Sequence, residues 1–356
     1  MKKILVVDFN GTSPVYTHYF TKGITNENTF VAILGKKKSQ FLDIFKKVSL
    51  YINNGVGIKP VDYFINWGWL LLNANKFDVV IIQWLMLVRF SSIEIFLIGY
   101  LQKRVKVIYV AHNITPHNNK SKKVANRFKR LYKKLKYIGV HTEEVKKAVS
   151  SIAPNSIILN FKHGLFFNEN AKHRPSRTFN NTCLIIGFIS KYKGIEDAIL
   201  VMEKLSKKKV DVTLKIKGYG NKSYVNELNN LIHQKGLSSK IHIESRVLST
   251  REIIREIKDS CMLWLPYKAI SQSGVSYTSL GLKTPFVAYD VGNFKLLEKE
   301  FQGSIVVDPG RIDLFSQAVE KVLLNNVALR KKICMNSAGL GWAYNWGELN
   351  IKLVDF

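Results

Sequence analysis

The chemistry-bearing residues of this chain gather where apolar runs give way to small polar ones. Met262-Leu263-Trp264-Leu265 reads as a buried strand that stops at Pro266, a residue unable to donate to a sheet ladder. Ser271-Gln272-Ser273-Gly274-Val275 follows, where a helix should begin. A helix start offers free backbone N–H groups and a partial positive charge, and a glycine lets an anion approach the main chain, so this stretch has the makings of a phosphate seat. Glycine and serine in a strand-to-helix turn also serve purely steric needs, and the local residues leave both readings open. Pro285 to Tyr289 with Asp290-Val291-Gly292 makes a second such turn. Upstream, Gly187-Phe188-Ile189-Ser190-Lys191-Tyr192-Lys193-Gly194 sets Lys193 between a strand end and a helix start, where an ammonium can meet a phosphate as a point charge. In the first half, Ala111-His112-Asn113-Ile114-Thr115-Pro116-His117 ends another apolar run. Two histidines just past a strand's carboxyl edge are either a metal pair or hydrogen-bonding groups; no third ligand is evident, so no metal is expected.

The elements that must position these residues alternate regularly. Strands are expected at Ile4–Phe9, Phe30–Leu34, Val79–Ile82, Val105–Val110 and Ile138–His141, with helical patterns between them, the first starting near Pro14. Phe166 to Asn181 has no periodicity and is rich in Asn, Lys, Arg and Pro, which marks a linker. The rhythm then restarts: strand Cys183–Phe188, a helix from Ile195, strand Val212–Lys217, helix Tyr224–Lys235, strand Ile241–Ile243 and helix Thr250–Asp259. Strands alternating with helices predict parallel, doubly wound sheets, hence an α/β chain of two Rossmann-like domains with a cleft between them. The division expected is 1–168, a linker at 169–181, and 182–340, with 341–356 as a closing segment.

The 356 residues carry 54 Lys and Arg against 26 Asp and Glu, a net charge of +28. Residues 1–175 hold 28 basic and 9 acidic side chains, so the first half supplies most of the field. Such a surface suits a polyanion, either nucleic acid or an anionic membrane leaflet. No nucleic-acid-binding module is recognisable, so nucleic acid is not expected. Lys120 to Lys136 has nine basic residues and no acidic one, with Val124, Phe128, Leu131, Tyr132, Leu135 and Ile138 at helical spacing. That pattern docks a helix on the sheet by its apolar stripe and leaves Lys129, Arg130, Lys133 and Lys134 to face water or anionic lipid. Trp84 to Leu101 is nearly all apolar, but Arg89 and Glu94 would each cost several kcal/mol in hydrocarbon, which favours a buried or membrane-apposed helix over a span. Cys183, Cys261 and Cys334 lie far apart along the chain; the first two sit in apolar strands and read as buried, inert thiols of a reducing compartment. Lys2-Lys3 leads straight into a short strand, so no signal peptide is expected, and a cytoplasmic location is the expectation.

Taken in order, several of these pieces resemble the retaining glycosyltransferases of the GT-B fold, in particular the large family-4 group. Gly187 to Glu196 resembles that family's G-x-I-x-x-Y-K-G signature, and Leu214-Lys215-Ile216-Lys217-Gly218-Tyr219-Gly220 its L-x-I-x-G-x-G strand and turn. Ile241-His242-Ile243 is similar to its V-x-F strand. Leu265-Pro266-Tyr267 with Gln272-Ser273-Gly274-Val275 resembles an L-P-Y … Q-S-G-V donor loop, Pro285 to Gly292 a P-V-V-A-x-D-V-G segment, and Asn345-Trp346-Gly347-Glu348 the end of the chain, where the last helix returns to the first domain. In the first half the likeness is looser: His112 to His117 resembles H-N-x-x-P-H, and Asn10-Gly11-Thr12-Ser13 stands in the place of the first glycine-bearing loop.

The resemblance implies transfer of a sugar from a nucleoside diphosphate to a lipid-linked or growing surface glycan, with retention, on the cytoplasmic membrane face, and with no cofactor beyond the donor substrate. It implies donor contacts at Gly187, Lys191, Lys193, Gly218, Gln272, Ser273, Gly274, Val275 and Thr278, and acceptor-side contacts at Gly11, Thr12, His112, Asn113 and His117. Lys193 would stabilise the leaving diphosphate, and His112 would act as acid/base or bind the sugar. The two donor-loop glutamates common in the family fall at Ile270 and Thr278, so another group must hold the ribose. A non-catalytic scaffold subunit of a polysaccharide assembly complex is the alternative that this departure keeps open.

Overall fold

The computed structural model describes residues 1–9, 11–35, 50–52, 59–112, 114, 121–168, 181–340 and 346. Asn113, His117, Lys120 and most of the expected linker, 169–180, lie outside them. The chain divides into two compact units, Met1–Gly164 with Trp342–Phe356 and Leu165–Gly341.

The N-terminal unit is a seven-stranded parallel sheet in the order β3-β2-β1-β4-β5-β6-β7. Its strands are β1 (Lys2–Asp8), β2 (Thr29–Gly35), β3 (Leu50–Ile52), β4 (Val79–Ile82), β5 (Lys106–Val110), β6 (Tyr137–Val140) and β7 (Ile157–Asn160). The helices are α1 (Pro14–Ile24), α2 (Lys59–Asn73), α3 (Ile93–Leu101), α4 (Lys122–Lys134) and α5 (Glu143–Ile152). Strands such as β1 are buried along almost their whole length because helices cover both faces of a parallel sheet, which is why they read as unbroken apolar runs. Pro14 opens α1, where its missing N–H costs nothing. On α4, Val124, Phe128, Leu131 and Tyr132 are buried, so the stripe seen in the sequence is the one that docks.

Trp84 to Leu101 departs from expectation. It is not one helix but a 3-10 turn, Leu87–Arg89, followed by α3. The cause is Glu94, which is fully buried and whose carboxylate accepts from the Tyr63 hydroxyl and from the amides of Met86 (3.2 Å) and Val88 (2.6 Å). Burial raises its pKa above the ordinary carboxylate range, while those donors pull it down. Among the described residues, no helix is long and apolar enough to cross a membrane.

The C-terminal unit is a six-stranded parallel sheet in the order β10-β9-β8-β11-β12-β13. Here β8 is Thr182–Ile186, β9 Thr213–Lys217, β10 Ile241–Glu244, β11 Met262–Leu265, β12 Phe286–Tyr289 and β13 Ile305–Val307. The helices are α6 (Ile195–Lys207), α7 (Lys222–Gln234), α8 (Thr250–Asp259), α9 (Gly274–Gly281), α10 (Phe294–Phe301) and α11 (Ile312–Gly339). Ser249 and Glu252 form a reciprocal cap at the start of α8, satisfying two amides that the helix leaves free. Cys183 and Cys261, distant in sequence, lie with sulfurs 3.7 Å apart as buried free thiols, because β8 and β11 are neighbours in the sheet.

In both sheets the strand order reverses at the first strand: between β1 and β4, and between β8 and β11. Chain connections leave in opposite directions from these two strands, opening a crevice at their carboxyl ends where α/β proteins bind ligands.

Candidate functional site

In the C-terminal unit, the switch point is built from the turn after β8 and the loop after β11. Gly194 takes a left-handed conformation (φ 63°), and a Cβ there would lie 1.9 Å from the Pro266 carbonyl oxygen, so only glycine lets these two segments meet. Gly218, at the end of β9 with φ 143°, approaches the Gly187 carbonyl equally closely; a Cβ would sit 2.0 Å from its oxygen. These contacts fold the Lys191–Lys193 turn back under the strand ends.

Lys193 is thereby only 3% exposed. Its Nζ donates to the Ile186 carbonyl at 2.7 Å and lies 5.2 Å from the centre of the Tyr267 ring. A Cβ on Gly187 would come within 2.9 Å of that Nζ and within 3.9 Å of Val275 Cγ2, so Gly187, Lys193 and the first residues of α9 converge. Burial pushes the ammonium's pKa down. No carboxylate pairs with it among the described residues. A buried cation held only by a carbonyl and an aromatic face gains greatly from an anion.

Ser273 is the N-cap of α9 and is buried, yet its hydroxyl caps no amide of that helix. The amides at this start are therefore not closed off by the cap side chain. Gln272 Nε2 reaches the Tyr277 hydroxyl at 3.4 Å, and Asn293 Nδ2 donates to the same hydroxyl at 2.7 Å. Gly292 presses against the carbonyls of Ile270 and Ser271, so the turn after β12 supports the donor-loop candidate from below. Two expected residues stand apart. Thr278 spends its hydroxyl on the Gly274 carbonyl at 2.8 Å, inside its own helix. Lys191 is largely exposed and turns to α7, with Glu227 at 3.9 Å and the Tyr224 ring at 5.7 Å.

The N-terminal unit gathers a different set at its own switch point. Asp8, at the end of β1, is buried; its carboxylate accepts from the Thr12 amide (2.8 Å) and the Thr17 hydroxyl (2.9 Å), which also reaches Gln83 Oε1 at 2.7 Å. Gly11 (φ 55°) donates its amide to the Asp8 carbonyl at 3.0 Å, so the Gly11-Thr12 turn is held by Asp8. Gln83 Nε2 is buried without a hydrogen-bond partner among the described residues.

His112 is stacked flat on Trp84, with centroids 4.4 Å apart, and meets the edge of Tyr16 at 4.6 Å. His141 and His163, which sequence reasoning did not single out, belong to the same cluster. His141 Nδ1 contacts the Phe161 carbonyl at 3.2 Å; a carbonyl only accepts, so Nδ1 carries the proton and Nε2 accepts from the Tyr16 hydroxyl at 2.7 Å. His163 Nδ1 donates to the Gly164 carbonyl at 2.8 Å, and its ring lies 5.0 Å from Trp346. Burial first, and then His141 and His163, hold His112 well below the usual imidazole pKa; burial likewise brings His141 down to about 4. His112 is thus a neutral imidazole at neutral pH, with a buried Nε2 that has no partner among the described residues. A base of such low pKa removes a proton poorly but serves well as a hydrogen-bonding group. The signal that could have revealed His141 is its place one residue past β6, the neighbour of the strand that carries His112. Among the described residues, no three His, Cys, Asp or Glu side chains are arranged to hold a metal ion.

Residues 166–338 match the family described as Glycosyl transferases group 1. No curated protein matches by sequence. Among solved structures, HepE of Anabaena in complex with UDP-glucose superposes with a TM-score of 0.74 at 14% identity, over 100% of this chain and 99% of that one. Sucrose-phosphate synthase from Thermosynechococcus elongatus gives 0.72 at 10% identity, over 100% and 98%. WaaG, a glycosyltransferase involved in lipopolysaccharide biosynthesis, gives 0.69 at 10%, over 98% of both chains. At such identities the likeness shows the fold, which is GT-B. The family match covers the C-terminal unit, and the fold of the chain is GT-B.

Proposed function

We propose that this protein transfers a sugar from a nucleoside diphosphate to a lipid-linked or growing surface glycan, with retention of configuration and without a metal. The observation that carries the reading is Lys193, a buried ammonium with no carboxylate beside it among the described residues, aimed at Gly187 and the open start of α9. A departing diphosphate needs its growing charge stabilised, and Lys193, the amides of Ser273 to Val275 and the α9 dipole supply that without a metal ion. Retention places the acceptor oxygen on the face from which the diphosphate leaves. Neutral His112, with Gly11 and Thr12, hydrogen-bonds the sugar or acceptor, and Asp8 and Tyr16 act as positioning residues. The UDP-glucose held by HepE supports a uridine diphosphate donor, and the role named for WaaG supports a surface-glycan acceptor. The exposed Lys129, Arg130, Lys133 and Lys134 on α4 support attachment to an anionic membrane face, in keeping with the cytoplasmic location proposed here.

The test is turnover. Purified protein is incubated with a panel of UDP-, GDP-, ADP- and dTDP-sugars, lipid extract and EDTA, and the released nucleoside diphosphate is measured. Release from one donor that depends on lipid acceptor and persists in EDTA is expected; release only on adding a divalent ion would overturn the metal-free mechanism. The missing glutamates at Ile270 and Thr278, together with the internal bond of Thr278, favour one second reading, a donor-binding subunit without turnover. Nucleotide binding without release from any donor would establish it.

A further inference from the structure

A helix packed on a sheet ordinarily buries one stripe and turns polar side chains outward. α3 does not. Ile95, Ile98 and Leu101 face inward, yet the outward face carries Ile93, Phe96 and Tyr100, and the turn before it carries Phe90, all exposed at helical spacing. Phe90 is 76% and Phe96 74% exposed, which is open surface rather than the rim of a core. The neighbouring α2 adds Phe64 and the 80%-exposed Leu72. The two helices are joined by Tyr63 to Glu94, and the turn after α3 is tied to α2 by Arg104 Nη1, which donates to the Leu71 carbonyl at 3.2 Å. Scattered apolar residues on a surface need no explanation, but a contiguous group on linked helices marks an interaction site.

The border of this face is cationic. Arg127 of α4 donates to the Arg89 carbonyl at 2.6 Å, and the stem of Lys134 lies against Gly99, where a Cβ would come 2.6 Å from its Cε. Beyond the end of α3 is a cavity of about 320 Å³ lined by Gln102, Lys103, Arg104, Lys106, Lys136 and Tyr137, and, among the described residues, by no carboxylate. Gln102 fixes its walls, donating to the Lys134 carbonyl at 2.9 Å and accepting from the Lys136 amide at 2.8 Å. Lys106 and Lys136 lie 4.9 and 5.4 Å from the centre of the Tyr137 ring, and the Arg104 guanidinium lies 4.3 Å over Tyr100, which links the cavity to the apolar face. Burial, and then the charges of Lys2 and Lys136, push the Lys106 pKa down.

We propose that this face is a docking surface for an anionic phospholipid bilayer: Phe90, Ile93, Phe96 and Tyr100 enter the boundary between acyl chains and headgroups, and the cavity of Lys103, Arg104, Lys106 and Lys136 takes a headgroup phosphate. An interfacial protein needs an apolar face bordered by cations, and both are present on adjacent helices. A second copy of the chain would bring like charge against like, and a nucleic acid would leave Ile93 and Leu72 without a role. The inference deepens the membrane part of the proposed function, replacing attraction by α4 alone with insertion of α3.

The full chain is sedimented with vesicles of equal parts phosphatidylglycerol and phosphatidylcholine, and with phosphatidylcholine alone. Binding to the anionic vesicles is expected. The exposed pair Phe90→Ser with Phe96→Ser should lower it about ten-fold or more, Phe96→Leu should restore it, and Lys106→Gln with Lys136→Gln should lower it several-fold. Phe96→Trp should be quenched by lipids brominated in the acyl chain. Undiminished binding of the serine pair, or no quenching, would overturn the insertion. A rise in melting temperature with inorganic phosphate, with vesicle binding insensitive to the phenylalanines, would make the cavity a free-anion site and also overturn it, as would concentration-dependent dimerisation that the serine pair abolishes in a protein that ignores vesicles. Nucleoside diphosphate binding is measured in the same samples. Vesicle binding without nucleotide binding would remove the sugar-transfer reading and leave this one standing; nucleotide binding by a wild-type protein that ignores vesicles would do the reverse.

Discussion

The two units keep ionisable groups inside their sheets' carboxyl ends in opposite ways. The N-terminal unit buries a cluster of imidazoles and holds them neutral, tied to one another through Tyr16, Trp84 and Trp346. The C-terminal unit buries a cation, Lys193, on a carbonyl and an aromatic ring. Their surfaces differ as well. The C-terminal unit neutralises its lysines and arginines in pairs, among them Lys217 with Glu244 and Glu256, Arg246 with Glu244 and Glu252, and Lys235 with Glu203. The N-terminal half, with 28 basic residues to 9 acidic, lacks the carboxylates to do so. One unit is charged where a diphosphate would sit and pairs many of its surface cations with carboxylates; the other is neutral where a sugar hydroxyl would sit and more strongly cationic outside. The contrast suggests a division of labour between charge stabilisation and neutral recognition.

The sharpest way to break this contrast is to remove the buried cation. Lys193→Ala should lower turnover about 10² to 10³-fold, the cost of losing one preorganised group at a developing anion. The fold should survive, as shown by an unchanged circular dichroism spectrum, because the lysine has no carboxylate to leave behind. Turnover within a few-fold of wild type would end the diphosphate assignment.

Acid separates the units next. The pKa values of His112, His141 and His163 lie below that of a free imidazole, so on acidification the unfolded chain takes up protons first. Stability from these groups is complete above the unfolded value of 6.5 and is lost as pH falls toward the folded one, about 4 for His141. His141 alone accounts for up to about 3 kcal/mol over that window. Hydrogen exchange at pH 7 and at pH 4.5 should therefore show the N-terminal unit losing protection first; equal loss in both units would contradict the buried neutral cluster. A smaller effect sharpens the same point. Tyr16→Phe leaves the Nε2 of His141 without its donor and should cost about 1 to 3 kcal/mol in urea melts. It should also lower affinity for the acceptor, if His112 depends on the Tyr16 edge for its position, more than it lowers affinity for nucleotide.

Four Gln substitutions at Lys129, Arg130, Lys133 and Lys134 should weaken sedimentation with anionic vesicles, at about 1 kcal/mol per charge near the surface, while urea melts stay within about 0.5 kcal/mol of wild type. Unchanged sedimentation would take α4 out of the membrane contact.

Much of the fold was legible because each parallel strand is buried on both faces and so is written as an apolar run, as in Val79–Ile82, where expectation and structure coincide. The three-residue β3 and β13 carry too little pattern to be read, and β7 begins on the exposed Ile157. The turn at Leu87–Arg89 was hidden because Glu94 reads as a charge to be avoided, when in fact its carboxylate collects three donors. On the donor side, Lys193 and Ser273 to Val275 could be found from local sequence because a strand, a turn and a helix start are consecutive. The histidine cluster was not, since His141 and His163 meet His112 and Tyr16 only through the order of strands in the sheet. Asp8, an acidic residue in an apolar strand, holds the nearby Thr12 and Thr17, but the link from Thr17 on to Gln83 depends on β1 and β4 being neighbours and could not be read locally.

The most direct measurement is calorimetric titration of UDP, GDP, ADP and dTDP into the wild-type protein and into Lys193→Ala, each with EDTA present. One nucleoside diphosphate should bind the wild type and bind the variant at least about ten-fold more weakly, while the corresponding nucleoside, which lacks the phosphates, should not distinguish the two proteins. Equal affinity of a diphosphate for both proteins would show that the buried ammonium does not face the phosphates, and with it the proposed site would fall.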